Sequence, residues 1–99
     1  MEVNKQIDDG KMTIAPKGSL DTVTTPDLEK EIGDLENLNS LIIDCKDLDY
    51  VSSSGLRLFL KLHKNLSLKG GLKLVNVPPL IKEIFDITRF SDVLTIELA

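Results

Sequence analysis

Two short apolar runs, SLIIDC at residues 40–45 and LKLVNV at residues 72–77, flank a segment whose apolar side chains recur every three to four positions. From Ser53 or Ser54 to about Leu68 that period is marked by Leu56, Phe59, Leu60, His63 and Leu66, with Leu58 and Leu62 beside them. The segment predicts a helix that is apolar around more than half its surface. Strand, helix and strand in that order imply parallel neighbours joined by a right-handed crossover. SLIIDC, nearly continuous in apolar character, predicts a central strand covered on both faces, and LKLVNV predicts another buried strand.

The flanking chain extends this alternation. Residues from about Glu2 to Ile7 and the stretch MTIAPKG are separated by DDGK, which predicts a hairpin whose second strand ends or lies at an edge near Pro16. In TVTTPDLEKEIGDL, Thr25 suits a helix cap, Pro26 the first helical position, and Asp27 and Glu29 the positive end of the helix dipole. Leu28, Ile32 and Leu35 then supply a buried stripe. PPLIKEIFDITR opens on proline and predicts a short helix packed through Leu80, Ile81, Ile84, Phe85 and Ile87, and DVLTIEL predicts a final strand. Gly70 and Gly71 are expected to stop the central helix. The expected fold is α/β in the order β-β-α-β-α-β-α-β: a mixed, mostly parallel sheet of about five strands, an N-terminal hairpin, and helices packed on the sheet. With no long linker, residues 1–99 are expected to form one domain.

Charge and composition remove several function classes. A net charge of -4, with no cluster of more than two adjacent cations, argues against nucleic-acid binding, which relies on grouped Lys and Arg. No apolar run approaches the ~18 residues needed to span a bilayer, and MEVNKQIDDG lacks the features of an export signal, so no membrane association and a cytoplasmic location are expected. The single cysteine, Cys45, closes an apolar run and reads as a small buried hydrophobe.

The stretch DYVSSSGLRLFL carries the chemistry. It lies between the exit of a predicted strand and the first turn of a helix, where open α/β sheets commonly present ligand sites. One hydroxyl suffices to cap a helix, so Ser52, Ser53 and Ser54 together leave at least one exposed at a positively polarised helix end, beside a glycine that admits close backbone approach. A hydrolase nucleophile needs a base, yet the only histidine, His63, lies about ten residues along the same helix, ~15 Å away, and the G-x-S-x-G elbow is missing. Glycine-rich phosphate cradles are missing too, DCKDLD lacks calcium-loop spacing, and no His/Cys set exists. No metal, cofactor or catalytic activity is therefore expected. A hydroxyl that receives phosphate from another protein requires no catalytic residue in this chain.

Three segments, GSLDTVTTPDLEKEI, LIIDCKDLDYVSSSGLRLFL and VPPLIKEIFDITRFSDVLTI, together span nearly the whole chain. In this order and spacing they resemble a STAS domain, specifically the stand-alone anti-sigma factor antagonists of bacterial partner-switching systems. The commonest loop of that family reads Asp-Ser-Ser/Thr-Gly-Leu, with the first serine accepting phosphate. By this resemblance Ser53 is the acceptor and Ser54 the fallback; Gly55 and Leu56 match the family, and Ser52 stands where the aspartate usually is. Asp21 matches the loop aspartate that lies near the acceptor, helix capping being its other reading, and Ser19 and Thr22 share its loop. The resemblance implies a partner-binding surface of Ser19, Asp21, Thr22, Ser52, Ser54, Gly55 and Leu56. It implies a regulator of transcription that binds an anti-sigma factor serine kinase when unphosphorylated, is released on serine phosphorylation, and is reset by a serine phosphatase. The alternative is a constitutive STAS interaction or scaffold module without a phosphorylation cycle.

Overall fold

Asp9 and Gly10 both adopt positive φ, 51° and 78°, which is the geometry of a two-residue turn whose twist matches that of the strands it joins. The turn closes an antiparallel hairpin between β1 (Val3–Asp8) and β2 (Lys11–Pro16), with Asp8 opposite Lys11. In the computed structural model, which describes residues 1–99, the chain continues through β3 (Gly18–Leu20), α1 (Thr24–Ile32), β4 (Ser40–Asp44) and β5 (Leu48–Val51). It ends with α2 (Ser53–Leu66), β6 (Gly71–Val77), α3 (Pro79–Ile87) and β7 (Thr95–Leu98).

Five strands form one sheet in the order β1-β2-β4-β6-β7, parallel except for the hairpin. This is the expected mixed sheet. β3 and β5 form a separate two-stranded parallel ribbon that the sequence pattern does not predict. Each has three or four residues, too few to establish an alternation of their own.

After the hairpin the strand order advances in one direction only, so right-handed crossovers leave the helices on one face of the sheet. Burial follows. Met12, Leu41 and Leu72 stand in register and are buried, as do Ile14, Ile43 and Leu74. Between these rows, Thr13 and Lys73 are exposed and Ile42 is half-buried. The expectation that residues 40–45 are covered on both faces is therefore corrected: their apolar run masks a sheet with one open side.

Helix boundaries depart from the sequence reading for local reasons. α1 ends where Gly33 takes φ +76°, and Leu35 falls in a separate 3-10 turn, Leu35–Asn37, only half-buried. Thr25 lies inside α1, buried, with its hydroxyl unpaired, so it does not cap. α2 ends at Leu66, ahead of the two glycines, and Leu68 is exposed. On α3, Ile81 and Phe85 pack inward one turn apart, whereas Leu80 (56%) and Ile87 (74%) are exposed rather than packed. Phe85 meets Phe59 of α2 edge-on, with ring centroids 6.1 Å apart at 63°, the aromatic arrangement that adds to area burial. One cluster of 22 buried apolar residues joins the sheet, the ribbon and all three helices.

Candidate partner-binding site

The ribbon sets the geometry. β3 and β5 are parallel, with Leu20 opposite Val51, so the chain leaves both strands at the same end. There the Ser52 amide donates to the Leu20 carbonyl at 2.8 Å. Two segments far apart in sequence, the turn 21–23 and the start of α2, are thereby laid side by side.

Gly55 permits this closeness. A Cβ at this position would sit 2.8 Å from Leu20 Cδ2 and 2.8 Å from Val51 Cγ1, inside normal contact distance. Both neighbours are buried, so the first turn of α2 rests directly on the ribbon only because residue 55 has no side chain. Leu56 points into the core from the next position. Gly55 and Leu56 thus hold the helix in place from within, whereas Ser53 beside them is exposed.

Asp21 organises the other loop. Its Oδ1 accepts from the amides of Thr24 at 3.0 Å and Val23 at 2.9 Å, and lies 3.1 Å from the Thr24 hydroxyl oxygen. The Thr24 hydroxyl also lies 2.7 Å from the Ser19 carbonyl, to which it can donate, and 2.9 Å from the Asp21 amide, from which it accepts. The amides of Thr24 and Val23 hold the Asp21 carboxyl below its ordinary range, because both bonds favour the charged form. Asp21 thereby satisfies free amides at the start of α1, a task that neither Thr25 nor the Val23 side chain performs. Ser19 and Thr22 are exposed on the same loop.

The three serines have three different environments. Ser52 occupies the N-cap position of α2, and its carbonyl accepts from the Leu56 amide at 3.0 Å, but its Oγ is buried without any partner. Ser54 is half-buried, and its Oγ accepts from Arg57 Nη2 at 3.3 Å. Ser53, the first residue of the helix, is exposed. No side chain caps α2, so the bland explanation of the cluster, competition for the cap, is not what the structure contains. The first-turn amides consequently lack a side-chain cap and carry the partial positive charge of the helix end.

Sequence reasoning did not single out Arg57, whose three- and four-residue spacing from Ser54 and Ser53 could have shown it. It also passed over Val23, 76% exposed between Asp21 and Thr24, and Tyr50, half exposed on β5 opposite Ser19. His63 is half-buried in the last turn of α2, well away from the serines by helical rise. No helix is long and apolar enough to cross a membrane.

Fold and loops together define a small α/β domain that presents two adjoining hydroxyl-rich loops at one end of a parallel ribbon. The chain belongs to the STAS domain family, whose model matches residues 2–99. It is 33% identical over 98 residues to the anti-sigma-B factor antagonist of Bacillus subtilis, covering 97% of this chain and 88% of that protein. Among solved structures it resembles an anti-sigma factor antagonist from Mycobacterium paratuberculosis, with a TM-score of 0.82, 22% identity, and coverage of 99% of this chain and 87% of that one. It is also similar to the antagonist SpoIIAA in its unphosphorylated form, with a TM-score of 0.79 at 18% identity, covering 96% of this chain and 87% of that one. For phosphorylated SpoIIAA of Bacillus the TM-score is 0.73 at 18% identity, covering 96% of this chain and 90% of that one. These structural likenesses are likenesses of fold.

Proposed function

We propose that the two adjoining loops bind an anti-sigma factor that is also a serine kinase, and that phosphorylation of Ser53 releases it. The observation that carries this reading is the sorting of the three hydroxyls: Ser52 Oγ is buried and Ser54 Oγ is engaged by Arg57, whereas Ser53 is exposed at the helix end. Family membership and the name of the Bacillus subtilis relative support the partner, and the existence of phosphorylated and unphosphorylated SpoIIAA supports the modification.

In the reaction, Ser53 Oγ forms a bond to the γ-phosphorus of ATP held by the partner. The bond from that phosphorus to ADP breaks, and the hydroxyl proton leaves to the partner's base. A serine phosphatase would reverse the modification by hydrolysis. The phosphate adds about -1.5 to -2 charges at the helix end, where the dipole favours an anion and the folded domain tolerates it. In a desolvated contact the same charge opposes the partner. Moving such an equilibrium from 1:99 to 99:1 needs ~10⁴-fold in differential affinity, a difference of the size that carrying a phosphate dianion into a desolvated interface costs.

A constitutive interaction module is the second reading, favoured by Ser52, whose buried hydroxyl stands where the family's aspartate usually lies. Binding of variants to the cognate anti-sigma factor separates the two. Under the switch, Ser53→Ala binds as the parent does and stays bound in the presence of ATP, while Ser53→Asp loses at least ~10-fold in affinity. Equal binding of both variants, with ATP releasing none, leaves the constitutive module in its place.

A further inference from the structure

We propose that Arg57 is the internal counter-ion of a phosphate on Ser53, a role that rests on the switch reading above and adds a second moving part to it. Arg57 is exposed on α2 and enters no ion pair. Its one polar contact is the 3.3 Å bond from Nη2 to Ser54 Oγ, so the guanidinium already lies back over the first turn of the helix.

Residues four apart on a helix have Cβ atoms about 5–6 Å apart, which places a group on Ser53 within reach of Arg57. A phosphate offers charged oxygens that match the guanidinium fork, and such bonds are roughly twice as strong as the bond to a neutral hydroxyl. The present bond to Ser54 is therefore the weaker option, and Arg57 would exchange it for the phosphate. Other cations are engaged: Lys61, further along α2, with Glu29, and Lys46, between β4 and β5, with Asp44. The carboxylates on the elements beside this turn are Asp21, after β3, and Asp49, on β5. Oδ1 of Asp21 is already held by its own loop, and neither Asp21 nor Asp49 bonds to Arg57, whose one polar partner is Ser54.

Modification would then alter the surface twice, by adding an anion at Ser53 and by turning a cation away from an approaching partner. A partner that reads Arg57 in the unmodified state loses that contact at the moment it meets the new charge. The same exchange frees the Ser54 hydroxyl.

Phosphoserine inserted at position 53 during protein synthesis tests this without any kinase. The phosphate is titrated by 31P NMR in the parent and in Arg57→Ala, whose exposed substitution leaves the core untouched. An ordinary phosphoserine has its second pKa near 6. With Arg57 present it should titrate about half a pH unit lower than in Arg57→Ala, and the Arg57 Nε–H resonance should move between the unmodified and phosphorylated parent. Coincident titrations with an unmoved resonance overturn the counter-ion. Failure of a partner kinase to modify Ser53 would sink the switch alone, since this experiment uses no kinase.

Discussion

The Ser52 amide donates to the Leu20 carbonyl across 2.8 Å, and this bond ties the loop that carries Asp21 to the turn that carries Ser53. It extends the pairing of Leu20 with Val51 by one step beyond the ribbon. Neither loop could hold its position alone: β3 has three residues and β5 four, and an isolated two-stranded pair is marginal in water. Gly55 and Leu56, the buried residues of the first turn of α2, supply the rest of the support.

Gly55→Ala tests that support. Alanine favours a helix interior over glycine by about 1 kcal/mol, but here its methyl group meets Leu20 and Val51 at 2.8 Å, and both are fully packed. Overpacking of this kind costs typically ~1–3 kcal/mol, so the steric term wins. Urea denaturation should show a net loss of up to ~2 kcal/mol; a gain would mean that the ribbon yields.

Ser52→Ala has the opposite sign. Loss of an N-cap hydroxyl ordinarily costs ~1 kcal/mol, yet Ser52 Oγ makes no cap bond and is buried without a partner. An unsatisfied buried hydroxyl carries a desolvation penalty of ~1–3 kcal/mol. The alanine variant should match or exceed the parent in urea midpoint with an unchanged denaturant slope. A clear drop would show that the hydroxyl caps α2 in solution.

Asp21 makes stability depend on acidity. Its folded pKa lies below the ordinary value of 3.8, because the amides of Thr24 and Val23 favour the carboxylate. The unfolded chain therefore takes up the proton first as pH falls, and the stabilisation, complete above the unfolded value, disappears as pH drops through the folded one. Asn in place of Asp21 can still accept from the amides but carries no charge. The parent should be more stable than Asp21→Asn at neutral pH and converge on it in acid, as read by thermal unfolding across pH 2–7.

Cys45 should be inert in the folded protein. Its thiol is fully buried between strand and core, its Sγ lies 3.7 Å from the Ile43 carbonyl, and burial together with neighbouring Asp44 pushes its pKa from 9.0 up to about 12. Reaction with a thiol reagent at pH 8 should be at least ~100-fold slower than in the unfolded chain and should accelerate with denaturant in step with unfolding. Because the raised pKa favours the protonated form, its contribution to stability is present below pH 9 and is lost as pH rises beyond it. Fast native-state labelling would show that the edge beyond β4 opens locally.

Much of this architecture is written in short-range chemistry. Asp9 and Gly10 dictate the hairpin because few residues accept positive φ. The spacing of Leu56, Phe59, Leu62 and Leu66 dictates α2 and its packed face. The alternation of apolar runs with helical periods dictates a largely parallel sheet, and the serine cluster with the motifs around it marks where the site lies. Each of these is a property of neighbours within one turn or one strand.

What escaped the sequence depends on distant partners. Ile42 reads like a core residue, but whether its face is covered depends on which side the crossovers take, and all of them take the other. Leu80 and Ile87 have the composition of a packed stripe, yet only one face of α3 can meet the core. The ribbon exists because Leu20 and Val51 find each other and α2 settles on both. Ser52, Ser53 and Ser54 are chemically identical in sequence; the packing of Gly55 against that ribbon fixes the rotation of the helix, and with it which hydroxyl is sealed, which is held by Arg57 and which meets solvent.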